Sequence, residues 1–441
     1  MSARGLLALA SVLLACNPQK SQWGLEAIST MQTPPDPAAG CGVVLPADTL
    51  TGERDRCRFG PGETAETSLG ITPALALQLP IRHVVVMIQE NRSYDHIFGK
   101  LHDQGQSESE ALPADFTNPD LKGVAVPFAH ASTTCIAPDP RHQYSSITSA
   151  VNGGAMDGFV KNAARTTHTD GHYVMAYYEQ ADLPFSYFLA NTFAVSDRHF
   201  APAQSGTFCN RNFLLFGTNA GAVDTGLVYP EPNTPSLLQL LMNAGYTWGA
   251  YSDGEPFEGS LGWSPTDPGS HSVEAFYAAL AAGTLPNVSF LDAGHLTDDH
   301  PTADLQAGEA WLKQIYEAAR ASPQWNSLAF VWTFDEAGGF PDHVAPPAAC
   351  EAVTGSPFLQ RGPRVPLVMV SPWAKRHYVS HRQTDHTAIT RFIETLFGLG
   401  ALTRRDANSD DLLDLFDFSC GRELGVPEAP AAGSGGCARL E

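Results

Sequence analysis

The feature that most constrains this chain is a set of short, unbroken apolar runs of strand length, separated by stretches of helical periodicity. The runs occupy residues 83–89, 246–251, 288–292, 328–334 and 365–370, and none has the polar alternation of a strand with one wet face. A strand that is apolar on both sides must be covered on both sides, so helices have to lie above and below it. Helical spacing recurs over residues 234–242, where Thr234 caps and Pro235 opens the turn, and over residues 303–319 and 387–399. The pattern predicts an α/β fold of the doubly wound type, built on a central, mostly parallel sheet. With 39 Gly and 33 Pro in 441 residues, long loop insertions are expected between these elements.

The two ends read differently from the middle. Arg4 precedes an apolar run over residues 6–15, too short for the roughly 18 residues a membrane span needs, so residues 1–16 read as an export signal. The run closes with Leu13-Leu14-Ala15-Cys16, which resembles a bacterial lipobox and makes Cys16 the expected lipidation site. A lipoprotein on the cell envelope, held to the membrane through Cys16, is therefore expected, with simple secretion as the alternative. Residues 17–79 are rich in Pro, Gly, Thr and Ala and read as a tether, residues 80–424 as one catalytic domain, and residues 425–441 as a tail. An exported chain without Cys-x-x-Cys points to disulfides rather than a thiolate zinc site. Local bridges Cys41 to Cys57 and Cys420 to Cys437 are expected, with at least one thiol left free. The formal charge of −21 excludes nucleic acid as a partner, and it requires local positive charge, such as a metal ion, wherever a phosphate group binds. The acidic stretch 406–411 lacks the glycine of a calcium loop and reads as a solvated helix start.

Two of the apolar runs break directly into acids. The run ending at Gln89 continues Glu90-Asn91-Arg92, and the run ending at Phe334 continues Asp335-Glu336-Ala337. Ligands of open α/β sheets bind at the carboxyl ends of the strands, where these side chains emerge. If the two strands are neighbours, Glu90, Asp335, Glu336 and the amide oxygen of Asn91 converge. Such a set is stable only around a cation. An all-oxygen set suits one divalent ion such as magnesium, manganese or calcium, with zinc also admitted. Each acidic pair read alone would be a helix cap. A Gly-containing segment, Ser205-Gly206-Thr207-Phe208-Cys209-Asn210-Arg211, offers a hydroxyl nucleophile, and by chemistry alone Ser205 and Thr207 are equivalent.

The stretch Gln89-Glu90-Asn91-Arg92-Ser93-Tyr94-Asp95-His96-Ile97-Phe98-Gly99 resembles the signature of the bacterial phosphoesterase family that contains phospholipases C and related acid phosphatases, within the alkaline phosphatase superfamily. Similar in the same order are Asp139-Pro140-Arg141-His142 with the Met156-Asp157-Gly158-Phe159 block, the Thr207 segment, Asp298-Asp299-His300-Pro301, and the block that starts at Asp335. The resemblance implies an alkaline-phosphatase-like three-layer sandwich. It further implies a metal ion held by Glu90, Asn91, Asp335, Glu336 and Thr207, and Thr207 as nucleophile in a covalent phosphothreonine mechanism. His300 and His142 are the first candidates for acid and base at the leaving alcohol, His343 and Asn210 are expected to contact substrate, and His386 to anchor the last helix. Cys209 stands where the family commonly has proline. The implied substrate is a small phosphate ester or a phospholipid, and the implied activity is that of a phosphoric ester hydrolase of phospholipase C or acid phosphatase type. A non-catalytic surface lipoprotein that binds phosphate compounds is the alternative. Neither Gly-x-Ser-x-Gly nor Gly-x-x-x-x-Gly-Lys occurs, which disfavours serine hydrolase and Walker-type chemistry.

Overall fold

The computed structural model describes residues 41–136, 138–223, 235–253, 269–352, 355–420 and 427–433. The strands of its central sheet are β1 (His83–Gln89), β2 (Ala194–Ser196), β3 (Trp248–Ser252), β4 (Ser270–Ser272), β5 (Val288–Asp292), β6 (Leu328–Phe334), β7 (Leu367–Val370) and β8 (Tyr378–Ser380). They form one eight-stranded sheet in the order β8-β2-β7-β6-β1-β5-β3-β4. Strand β7 runs antiparallel to both its neighbours, and the other pairings are parallel. Every residue of β5 and β6 is buried, so both faces of the sheet centre are covered, as their continuous apolar runs require.

Strands β1, β5 and β6 coincide with the predicted runs. The other two begin later. Pro366 has no N–H to give to a ladder and the Val365 amide bonds His199 O at 2.9 Å, so pairing in β7 starts at Leu367. Tyr246 packs on Phe397, 4.6 Å between ring centroids, and strand β3 starts two residues on.

The helices that matter here are α1 (Tyr94–Phe98), α2 (Thr207–Phe216), α3 (Leu237–Asn243), α4 (Val273–Ala282), α5 (Leu305–Ala321) and α6 (His386–Phe397). Helix α4 packs on α5, and α6 packs on α2. Helix α3 is capped by Ser236, whose hydroxyl accepts from the Gln239 amide at 3.1 Å; Thr234, the expected cap, lies outside the described residues. Among the described residues no helix is long and apolar enough to cross a membrane.

Residues 41–79 are not a tether. They carry three short helices, and Leu69, Ile71, Ala76 and Leu79 are buried in the core. The segment is laid against the end of the chain: Gly42 N donates to Phe418 O at 2.7 Å, and Phe59 exchanges two hydrogen bonds with the Asn408 side chain. This placement overturns the local disulfide pairing, because Cys41 lies against Cys420 and Cys57 against Cys350, and both pairs are bridged. Cys135 is also in a disulfide, and Cys209 is a free, buried cysteine. Residues 1–40, which include Cys16, and Cys437 lie outside the described residues. In the tail, Gly433 N donates to Glu309 Oε2 of α5 at 2.7 Å.

The acidic stretch 406–411 is buried rather than solvated. Asp406 closes a capping box with Thr403, and Asp411 is 5% exposed. Nearby, Asp385 caps α6 through a bond from Thr387 N at 2.9 Å, and its other oxygen takes bonds from Arg361 Nε at 2.8 Å and Arg405 Nη2 at 2.9 Å. Burial works against ionisation of Asp385, but the two guanidinium groups outweigh it and hold the carboxyl far below its ordinary range. A depressed folded-state pKa contributes stability that is present above the unfolded value of about 3.9 and is lost as pH falls through the folded value. Asp385→Asn leaves Arg405 buried without its partner and is expected to lower unfolding free energy by about 3–5 kcal/mol at neutral pH, measured by urea denaturation, with the deficit shrinking in strong acid.

Candidate active site

The register between β1 and β6 sets Gln89 opposite Phe334, and the Asp335 amide donates to Gln89 O at 3.0 Å. Glu90 and Asp335 therefore leave the sheet side by side. On the other flank of β1, strand β5 ends in Asp292, paired with Ile88. Asp292 is absent from the candidates above, although its apolar run also ends in an acid, and that shared ending is the signal that points to it. Arg211 of α2 lies among all three: Nη1 pairs with Asp292, Nη2 is 3.4 Å from Glu90 Oε1, and Nε is 3.6 Å from Asp335 Oδ2. Burial opposes the charge on Arg211, but the carboxylates outweigh it and push its pKa up.

Thr207 is the first residue of α2, preceded by Gly206 in extended conformation. Its hydroxyl lies 3.5 Å from Glu90 Oε2 and favours the ionised form of the Asp335 carboxyl. The loop before it is held by Asn210, whose Oδ1 accepts from Ala203 N at 2.8 Å while Nδ2 donates to Ser205 O at 2.7 Å and Gly206 O at 3.1 Å. The Asn210 amide is fully buried and occupied by this loop, so it organises the turn rather than facing substrate. Ser205, the other hydroxyl, is buried and donates to Val223 O at 3.3 Å. Cys209, in the first turn behind Thr207, is 1% exposed, takes a bond from Asn219 Nδ2 at 3.0 Å, and is pushed up to about 12 by burial, which keeps the thiol protonated.

Asn91 and Glu336 complete the expected oxygen set. Asn91 is fully buried, and neither its amide oxygen nor its nitrogen has a hydrogen-bond partner among the described residues. Glu336 Oε2 accepts from Gly338 N at 2.8 Å, while Oε1 has no hydrogen bond. Burial, and then the charge of Glu90, raises the Asp335 pKa well above its ordinary value, and burial brings Glu336 to about 7. Buried oxygens with no donor, crowded at one sheet edge, are what a divalent cation relieves, so the residues present fit the ion that the sequence implies.

A cleft of about 470 Å³ opens beside Thr207, lined by Asp139, Arg141, His142, Thr166 and Phe208. His142 Nε2 stands 3.9 Å from Glu336 Oε1, and the His142 and His300 rings are 5.8 Å apart at 74°. Burial opposes a proton on His142, yet Glu336 and then Asp139 raise its pKa above the ordinary value. Both imidazoles are thus brought to the site. His343 is engaged elsewhere: its backbone N and Nδ1 each lie 2.7 Å from Asp95 Oδ2, beside the buried Arg364. His386 does more than anchor a helix, since its Nε2 bonds Asp335 O at 2.8 Å.

Comparison with known proteins identifies the family. Residues 81–400 match the Phosphoesterase family. The chain belongs to that family. As a member it is a hydrolase of phosphoric esters. It is 31% identical over 409 residues to non-specific phospholipase C3 of Arabidopsis thaliana, covering 80% of this chain and 77% of that one. It is 28% identical over 427 residues to phospholipase C B of Mycobacterium tuberculosis, covering 81% and 82% of the two chains. Among solved structures, a protein in the alkaline phosphatase superfamily from Vibrio parahaemolyticus matches with a TM-score of 0.40 and 12% identity, over 75% of this chain and 69% of that one.

In this phosphoesterase Gly338 has a steric reason to be glycine. Its φ is +63°, and a Cβ there would collide with both the backbone oxygen and the amide oxygen of Asn91. Gly338→Ala is expected to displace Asn91 and lower kcat by about tenfold or more with little change in the far-ultraviolet circular dichroism spectrum; wild-type turnover would show that Asn91 is dispensable.

Proposed function

We propose that this chain hydrolyses phosphoric esters of the phospholipase C type through a phosphothreonine formed on Thr207, with one divalent cation held by Glu90, Asn91, Asp335, Glu336 and the Thr207 hydroxyl. The observation that carries the reading is the approach of the Thr207 hydroxyl to Glu90 Oε2 at 3.5 Å, at a sheet edge where the Asp335 amide is bonded to Gln89 O. A bound cation supplies Lewis acidity, polarising the phosphoryl group and lowering the pKa of the threonine hydroxyl.

The chain's own groups account for the rest. Thr207 Oγ1 attacks phosphorus as its proton passes to Glu90 Oε2, 3.5 Å away, and the bond from phosphorus to the leaving alcohol oxygen breaks as a proton is delivered to that oxygen from His142 or His300. The N-terminus of α2 and the Arg211 guanidinium favour the negative charge of the phosphoryl group. In the second half, water attacks phosphorus of the phosphothreonine, an imidazole takes its proton, and the Thr207 oxygen leaves as it takes a proton back from Glu90. A phosphodiester substrate then gives an alcohol and a phosphomonoester. The named relatives, all phospholipases C, support a diester such as a phospholipid over a monoester. A lipid on Cys16 would hold the enzyme at the envelope, next to such substrates.

Thr207→Ala is expected to reduce turnover on the order of 10⁴-fold or more while the protein stays folded, and substantial residual turnover would remove Thr207 as nucleophile. Glu90→Gln is expected to lose bound metal by elemental analysis along with activity. Assay of p-nitrophenyl phosphorylcholine against p-nitrophenyl phosphate separates the substrate classes: preference for the first supports the phospholipase reading, and preference for the second identifies a monoesterase.

A further inference from the structure

We infer that Asp139, His142 and His300 form a second metal site, distinct from the oxygen set at the sheet edge, and that zinc bound there inhibits the enzyme. The inference rests on the reading above insofar as both imidazoles serve the leaving alcohol. One ligand atom from each of the three residues lies within 4.8 Å of the others, and all three are partly buried. Nδ1 of each ring faces a backbone carbonyl, and the nearest approach of the His142 ring to Asp139 is Nδ1 to Oδ1 at 3.6 Å. His142 Nδ1 is 2.9 Å from Pro140 O and His300 Nδ1 is 2.6 Å from Pro301 O. A backbone carbonyl accepts the Nδ1–H in each case, which fixes the tautomer and leaves the lone pair on Nε2.

His300 Nε2 lies 3.9 Å from Asp139 Oδ2, too far for a hydrogen bond. Two donors on one tetrahedral zinc ion, each at about 2.0–2.1 Å, lie roughly 3.4 Å apart, so a small side-chain movement closes the site. Asp139 Oδ1 is buried without a hydrogen-bond partner among the described residues. Two imidazole nitrogens and one carboxylate make a zinc-type donor set with a fourth position open to the cleft, unlike the all-oxygen set around Asn91. A second cluster of similar spacing, Asp95, Asp342 and His343, has no such vacancy of charge: Arg364 bonds Asp342 and Asp95, each at 2.9 Å.

Inhibition follows from the proton inventory. An imidazole that gives its Nε2 lone pair to zinc carries no proton there, and its Nδ1–H is held by a carbonyl, so neither ring can protonate the leaving oxygen.

The test uses the full chain, equilibrated with zinc in the presence of excess magnesium and then freed of unbound metal. Wild type is expected to hold zinc with an anomalous scattering peak among Asp139, His142 and His300, and to lose activity by about tenfold or more as that site fills. Asp139→Asn and His300→Ala are expected to lose this equivalent of zinc by elemental analysis, and the residual activity of Asp139→Asn is expected to resist zinc. A wild-type anomalous peak only at Glu90 and Asp335, or an unchanged zinc count in both variants, would overturn the second site. Zinc bound among the three residues with full turnover would overturn the inhibitory role. Thr207→Ala is expected to keep this zinc, so failure of the nucleophile assignment and failure of the zinc site are read separately.

Discussion

Three carboxylates at the carboxyl ends of β1, β5 and β6 cannot share one sheet edge unless positive charge is placed among them, and in this chain Arg211 provides it. The consequence for α2 is geometric. Residues four apart stand on one face of a helix, so anchoring Arg211 on Glu90, Asp292 and Asp335 brings Thr207 to the same carboxylates one turn earlier. The staple made by Asn210 between the loop and the helix fixes where that first turn begins. The position of the Thr207 hydroxyl is therefore a product of ion pairing and loop bonding together, and neither alone would set it.

The far side of Asp335 is held just as firmly. Its backbone oxygen accepts from His386 Nε2, His386 Nδ1 lies 3.2 Å from His199 Nε2, and His199 Nδ1 lies 2.9 Å from Thr384 Oγ1. This chain works because both rings are neutral: burial holds His386 down to about 4 and lowers His199 well below its ordinary value. A neutral ring donates through one nitrogen and accepts through the other, so the chain can run in one direction from Thr384 to Asp335. Asp385, bound by Arg361 and Arg405, fixes the helix end from which His386 projects. The structural ion pairs of the interior and the carboxylate edge of the sheet are thus one connected arrangement.

Much of this was legible in the sequence where the cause is local. Strands β1, β5 and β6 are continuous apolar runs because both their faces are buried, and the acids after β1 and β6 follow from strand ends at a ligand edge. Asp292 was legible in the same way, as an acid that ends an apolar run, but Arg211 was not, since its pairing with Asp292 is made across 81 residues of chain and leaves no periodic trace. Residues 41–79 misled for a related reason. Their Pro and Gly content resembles that of a linker, but the disulfides to Cys420 and Cys350, and the bond from Arg391 to Ser68 Oγ at 2.6 Å, are long-range facts. The stretch 406–411 shows the same limit, because a run of acids reads as solvated until the Thr403 cap and Arg54 are brought against it.

Glu336 stands between two kinds of donor set. One of its oxygens is tied to Gly338 N, and the other, without a hydrogen bond among the described residues, stands 3.9 Å from His142 Nε2. On the sheet side the donors are carboxylates and an amide, which favour a hard cation. Across the cleft they are imidazoles, which favour a borderline-soft one. At the proposed strand-end site an ion that prefers oxygen would have little reason to leave for His142 and His300, while zinc would suit either proposed position. Selection between the two positions then depends on which donors are free: the strand-end oxygens are fixed by β-sheet register and by Gly338, whereas the imidazoles keep their Nε2 lone pairs only so long as no proton occupies them. That difference makes the first position a constant of the fold and the second a function of conditions.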